Sequence, residues 1–127
     1  MGNAPEKLLL VDDEKDIVTT MKRGLEKHDF VVDAFNDPKQ ALEQFSSGQY
    51  LQIIADIRMP KMNGFEFARE IWAKDPNANI CFLTSFEIFE DEAKKIFSHL
   101  NSHCFITKPI TAKDLAQHIR NHAEDKK

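Results

Sequence analysis

Short apolar runs alternate along the chain with longer stretches in which apolar residues recur every three or four positions. The first run is Leu8-Leu9-Leu10-Val11. Ile17, Met21, Leu25 and His28 follow at helical spacing with Val18 beside them, which predicts an amphipathic helix over Glu14–His28. Val31-Val32-Asp33-Ala34-Phe35 predicts a second strand, and its thinner apolar content suits a sheet edge. Asp37-Pro38 supplies an N-cap and a proline at the first helical position for a helix through Ala41, Leu42 and Phe45, which Ser46-Ser47-Gly48 closes. A third strand, Gln52–Asp56, runs into Asp56-Ile57-Arg58-Met59-Pro60-Lys61-Met62-Asn63-Gly64, where the proline and the Asn-Gly pair mark a loop. A helix from about Phe65 to Lys74 stops at Asp75-Pro76, and Ile80–Thr84 is the fourth strand. Phe89, Ala93, Ile96, Phe97 and Leu100 predict a fourth helix ending at Asn101, and His103–Thr107 a fifth strand before Lys108-Pro109. Thr111 with Asp114 opens the last helix as a capping box, and Leu115, Ala116, Ile119 and Ala123 give it a buried stripe. Strands alternating with helices in this way predict an α/β fold, a doubly wound five-stranded parallel sheet with about five helices.

Composition narrows what such a fold can do. A chain of 127 residues holds one domain, expected over residues 7–123 with short tails at 1–6 and 124–127, and leaves no room for a DNA-binding or catalytic output domain. With 42% hydrophobic and 30% charged residues it reads as an ordinary globular chain. Its 21 acidic residues exceed 17 basic ones, so there is no basic face for direct nucleic-acid binding. No apolar stretch approaches a membrane span, and no apolar signal segment precedes Leu8. Met1-Gly2 is not read as a myristoylation start, because Glu6 stands where a hydroxyl residue is required. Cys81 and Cys104 sit in apolar runs without paired spacing, which predicts two core residues in a reducing cytosol and a cytoplasmic protein. His118 and His122 are four apart on a helix, as in a zinc pair, but they flank the apolar stripe without a third ligand and read as surface residues.

The chemistry-bearing residues gather at the predicted carboxyl ends of the strands, where doubly wound sheets bind ligands. Strand one ends in Asp12-Asp13, strand three in Asp56, strand four in Thr84-Ser85 and strand five in Lys108. Three carboxylates in one cleft repel one another, so they imply a cation that keeps them ionised. Oxygen ligands without histidine or thiolate suit Mg²⁺ or Mn²⁺. A lysine and a hydroxyl converging on the same cleft suit a tetrahedral anion. Together these groups point to phosphoryl transfer, in which a carboxylate can be the nucleophile. A plain helix-capping role for Asp12 and Asp13 accounts for neither Asp56 nor Lys108.

In these motifs the chain resembles a response-regulator receiver domain of two-component signalling, over nearly its whole length. The resemblance rests on Leu8-Leu9-Leu10-Val11-Asp12-Asp13-Glu14, on Asp56-Ile57-Arg58-Met59-Pro60 followed by Asn63-Gly64, on Leu83-Thr84-Ser85, and on Lys108-Pro109-Ile110. It implies the flavodoxin-like strand order 2-1-3-4-5. It implies that Asp56 accepts a phosphoryl group from a histidine kinase or phosphotransfer protein, and that Asp13, Asp56 and the backbone carbonyl of Arg58 bind Mg²⁺ with Asp12 in support. Thr84 and Lys108 would contact the phosphoryl oxygens, the Lys108-Pro109 peptide would be cis, and Phe105 would be the switch aromatic. The face of the fourth helix, fifth strand and fifth helix would then carry the signal to a downstream protein, with a homodimer as a further partner. The chain would catalyse only its own phosphorylation and dephosphorylation. Phe105 lacks the hydroxyl of the tyrosine often found there, so its switch would work through packing; Ser85 replaces a common alanine, Leu51 a common acid, and Asn101-Ser102 the usual Gly-Ala. A receiver-like binding module that is never phosphorylated is the alternative reading. A flavodoxin-like cofactor carrier shares the topology, but Asp12-Asp13-Glu14 would repel a cofactor phosphate.

Overall fold

The computed structural model describes residues 6–84 and 105–125, with side chains through Asn121. Five parallel strands, β1 (Glu6–Val11), β2 (Phe30–Phe35), β3 (Gln52–Asp56), β4 (Ile80–Thr84) and β5 (Phe105–Thr107), lie in the order β2-β1-β3-β4-β5. Four helices are present among the described residues: α1 (Lys15–Glu26), α2 (Pro38–Gln44), α3 (Gly64–Lys74) and a C-terminal helix (Ala112–Asp125). The helix expected over residues 89–100 lies outside the described residues, as do Ser85, Phe86, Asn101, Ser102, His103 and Cys104.

Parallel strands covered on both faces must be apolar on both faces, which is why β1 reads as an unbroken run. Leu8, Leu9, Leu10 and Val11 are all fully buried. Alternate residues feed two cores. Leu9, Val11, Ile53, Ala55 and Phe82 pack with Ala41 of α2 and with Phe67, Ala68 and Ile71 of α3. Leu8, Leu10, Ile54, Cys81 and Leu83 pack with Met21 and Leu25 of α1 and with Leu115, Ala116 and Ile119 of the C-terminal helix. β2 is the edge strand its composition predicts, and its Val31 is exposed. Cys81 is the core residue expected, with the Gln52 amide donating to its sulfur at 3.1 Å.

Element ends depart from the sequence reading where local chemistry intervenes. α1 begins one residue later than predicted, because the Glu14 N–H is already bonded to Asp12 Oδ1. It ends at Glu26, since the chain passes through Asp29 at φ 69° to enter β2; His28 therefore lies beyond the helix, where its carbonyl accepts from Arg120. Asp37 caps α2 as expected, accepting from the Lys39 N–H at 2.9 Å. Asn63-Gly64 is the start of α3 and not part of the loop: Asn63 and Glu66 exchange side-chain-to-backbone bonds of 2.9 and 3.1 Å in a capping box. β1 takes in Glu6, and the C-terminal helix continues through Asp125, so the fold extends into both stretches predicted as tails.

α1 and the C-terminal helix approach so closely that a Cβ on Gly24 would lie 2.3 Å from Ala112 Cβ. Helix propensity favours Gly24→Ala by about 1 kcal/mol. The overlap outweighs it, and we expect a net loss of about 1–3 kcal/mol in urea unfolding. In an Ala112→Gly background, where the overlapping atom is absent, the same substitution should instead stabilise the fold.

Candidate functional site

Strand register builds the site. Val11 pairs with Ala55, so Asp12 and Asp56, one residue further along adjacent strands, leave the sheet side by side. Asp56 pairs with Leu83 and Thr84 with Thr107, which brings Thr84 and Lys108 to the same edge. The Ile57 N–H donates to the Leu83 carbonyl at 3.0 Å and the Lys108 N–H to the Thr84 carbonyl at 2.8 Å, so the ladder continues one residue beyond the strands and pins each functional position. Chain direction across the sheet reverses between β1 and β3, the switch point at which open α/β sheets form clefts.

A cavity of about 310 Å³ opens there, lined by Asp13, Glu14, Asp56, Ile57, Arg58, Thr84 and Lys108. Asp12 lies beneath it, fully buried, and Asp56 and Thr84 are nearly so. Oxygens of Asp12, Asp13 and Asp56 lie within 4.8 Å of one another. Lys108 spans the pair of buried acids, with Nζ 2.8 Å from Asp12 Oδ2 and 3.3 Å from Asp56 Oδ2. Burial is the main force raising the Asp56 carboxyl from 3.8 to about 6, and the Asp12 charge adds to it; Lys108 pulls the other way and Asp13 adds a smaller push. Burial alone would lower the Lys108 ammonium, but its hydrogen bond and charge contacts with Asp12 and Asp56 outweigh that and hold it above its ordinary value.

The loop after Asp56 is held close by two backbone devices. Gly64 donates to the Ile57 carbonyl at 2.8 Å, and a Cβ at Gly64 would meet the Asp56 carbonyl oxygen at 2.5 Å and Ile57 Cα at 2.9 Å. Only glycine allows α3 to start against the backbone that carries Asp56. Between them Lys61 adopts φ 71° while the Met62 N–H donates to the Pro60 carbonyl at 2.8 Å, a strained three-residue turn.

Asp12, Asp13, Asp56, Thr84 and Lys108 therefore meet at one edge of the sheet, and Arg58 joins the lining. Lys108-Pro109 is cis, as expected. Phe105 stands two residues before Thr107 on the face shared by Phe82 and Thr84, half-buried and stacked on Phe82 at 5.6 Å between ring centres. Phe82 in turn meets Phe65 of α3 edge-on at 5.1 Å, so three rings run from β5 to α3. Sequence reasoning missed the lining role of Glu14 and the close approach of Gly64. The Asn63-Gly64 pair signalled a special backbone there, but a glycine required by a neighbouring carbonyl has no signature of its own.

The family model of the response regulator receiver domain matches residues 8–120, and the chain belongs to that family, a signalling domain of two-component systems. It is 33% identical over its full length to the C4-dicarboxylate transport transcriptional regulatory protein DctD of Rhizobium meliloti, covering 27% of that protein. Over 90% of its length it is 29% identical to the transcriptional regulatory protein CusR of Escherichia coli, covering 49% of it. The chain thus spans half or less of these two relatives. Among solved structures, a response regulator receiver domain protein from Clostridium thermocellum matches with a TM-score of 0.79 at 26% identity, over 95% of this chain and 96% of that one. The chemotaxis protein CheY4 of Vibrio cholerae matches with 0.77 at 25% identity, over 93% and 98%. Among the described residues no helix is long and apolar enough to cross a membrane.

The shift at Asp56 fixes the sign of a stability change. Its folded value lies above the unfolded one, so folding favours the protonated acid: the contribution is full below pH 4 and is lost as pH rises through about 6. Without divalent cations, Asp56→Asn should raise stability by about 1–3 kcal/mol at pH 8 and by much less at pH 4. Urea unfolding at the two pH values checks this.

Proposed function

We propose that the protein is a phosphoacceptor receiver in which Asp56 takes a phosphoryl group from a histidine kinase or phosphotransfer protein. The observation that carries this reading is the convergence of Asp12, Asp13 and Asp56 with Lys108 and Thr84 on one cavity. The donor set fits a hard divalent cation. Its oxygens lie within 4.8 Å of one another, close to the span of about 4.2 Å across an octahedral Mg²⁺ shell, and it contains no histidine or thiolate. Asp13, Asp56 and the Arg58 carbonyl would hold Mg²⁺ or Mn²⁺, with Asp12 in support, and the bound ion would neutralise charge on the phosphoryl oxygens.

In the transfer an Asp56 carboxylate oxygen forms a bond to phosphorus as the phosphorus–nitrogen bond of the donor phosphohistidine breaks. The imidazole leaves with the electron pair and takes up a proton. Asp56 is held in line by its strand and by the packing of Gly64 on its carbonyl. Lys108 offers an ammonium already desolvated beside Asp56, and Thr84, which lines the same cavity, would donate its hydroxyl to a second phosphoryl oxygen. Thr84 and Phe105 share a face of the sheet, so inward movement of Thr84 would make room for Phe105. The change would be read by a downstream protein on the face of the predicted fourth helix, β5 and the C-terminal helix, or by a second copy of the chain. Cytoplasmic location belongs to the same reading.

Incubation with acetyl phosphate and Mg²⁺ should add one phosphoryl group by intact mass, and Asp56→Asn should abolish the gain. No gain, or a gain that survives the substitution, would leave the unphosphorylated binding module as the better reading. Because Asp56 must be ionised to hold the cation, Mg²⁺ affinity measured by calorimetry should fall as pH drops below about 6.

A further inference from the structure

Glu14 is the one residue of the Asp12-Asp13-Glu14 motif for which the proposed chemistry has no use. It is exposed, and as the N-cap of α1 it makes no side-chain capping bond. Its backbone is fixed on both sides. The N–H donates to Asp12 Oδ1 at 3.0 Å, and the carbonyl accepts from the Val18 N–H at 3.0 Å. The side chain is therefore rooted at the rim of the acidic cavity, which it lines together with Asp56 and Lys108. Glu14 also lines a neighbouring groove of about 700 Å³, with Ile17, Met21, Leu83, Pro109 and Ile110. Among the described residues its carboxylate has no ion pair or hydrogen bond.

Inside the cavity, Lys108 and a bound divalent cation would together balance the three carboxylates. Glu14, without an ion pair among the described residues, would then leave a negative charge at the mouth of the cavity. We propose that Glu14 is a specificity-determining residue: its carboxylate disfavours small anionic phosphodonors entering the cavity, by an amount that grows with the donor's charge. The inference rests on the reading of Asp56 as phosphoacceptor. In the step concerned, an Asp56 oxygen bonds to the phosphorus of acetyl phosphate as the phosphorus–oxygen bond breaks and acetate leaves with the electron pair. With phosphoramidate, a monoanion already protonated on nitrogen, an Asp56 oxygen bonds to phosphorus as the phosphorus–nitrogen bond breaks and ammonia leaves with the electron pair.

The test measures the rate of phosphoryl mass gain in Mg²⁺ for the wild-type chain, Glu14→Gln and Glu14→Asp. It uses acetyl phosphate, a dianion near neutral pH, and phosphoramidate, a monoanion, each at low and high salt. Glu14→Gln should react about three- to tenfold faster than wild type with acetyl phosphate at low salt. The gain should be smaller with phosphoramidate and should shrink at high salt, where exposed charges are screened. Glu14→Asp, which keeps the charge, should stay near wild type. Equal rates for wild type and Glu14→Gln at low salt would overturn the proposal, as would an increase that is the same for both donors and both salt levels, the mark of a steric effect. If the wild-type chain gains no phosphoryl mass from either donor, the phosphoacceptor reading fails first and this inference falls with it.

Discussion

Two buried carboxylates side by side cannot both stay ionised without a cation, and this constraint organises the carboxyl edge of the sheet. Lys108 answers it in the structure described here. From the end of β5 it reaches past β4 and β3 to Asp12 and touches Asp56 on the way. Its ammonium ties together the ends of strands that are far apart in sequence. A buried ion pair of this kind adds little net stability by itself, but losing one partner strands the other charge. The strand order and register bring the three groups into place, and Asp12 is left fully buried.

The same constraint bears on how such a site exchanges one cation for another. The lysine already lies against carboxylate oxygens of Asp12 and Asp56 that a divalent ion would use, so a bound ion would have to share these two acids with it. An ammonium bonded mainly to Asp12 can be drawn toward new negative charge without leaving the cavity. The site is thereby organised before any ligand arrives, which is how preorganised electrostatic sites avoid reorganisation during reaction.

Much of this was legible in the sequence, for identifiable reasons. An apolar run such as Leu8–Val11 has few ways to be buried on both faces, and the polar residues that follow each run had to emerge at one edge. The motif spacing therefore marks Asp12, Asp13, Asp56, Thr84 and Lys108 in the sequence itself. The strand order came from family resemblance, because alternating elements alone do not number the strands across a sheet. What could not be read was set by single contacts between distant residues. The start of α3 at Gly64 depends on the Asp56 carbonyl, and the end of α1 on the turn through Asp29. Lys61 is the clearest case, since nothing in its side chain favours the left-handed backbone it adopts. The His28 carbonyl likewise finds its partner in Arg120, 92 positions away.

That last contact belongs to one face of the sheet, and the two faces are held by different kinds of contact. On one, Arg120 ties the C-terminal helix to the end of α1 and lies over the Phe30 ring, while Gly24 and Ala112 leave no gap between the helices. On the other, Phe65, Phe82 and Phe105 meet through ring faces and edges, contacts that can slide at small cost. A disturbance starting at the acidic edge would thus spread asymmetrically, damped on the side of α1 and carried on the side of the rings.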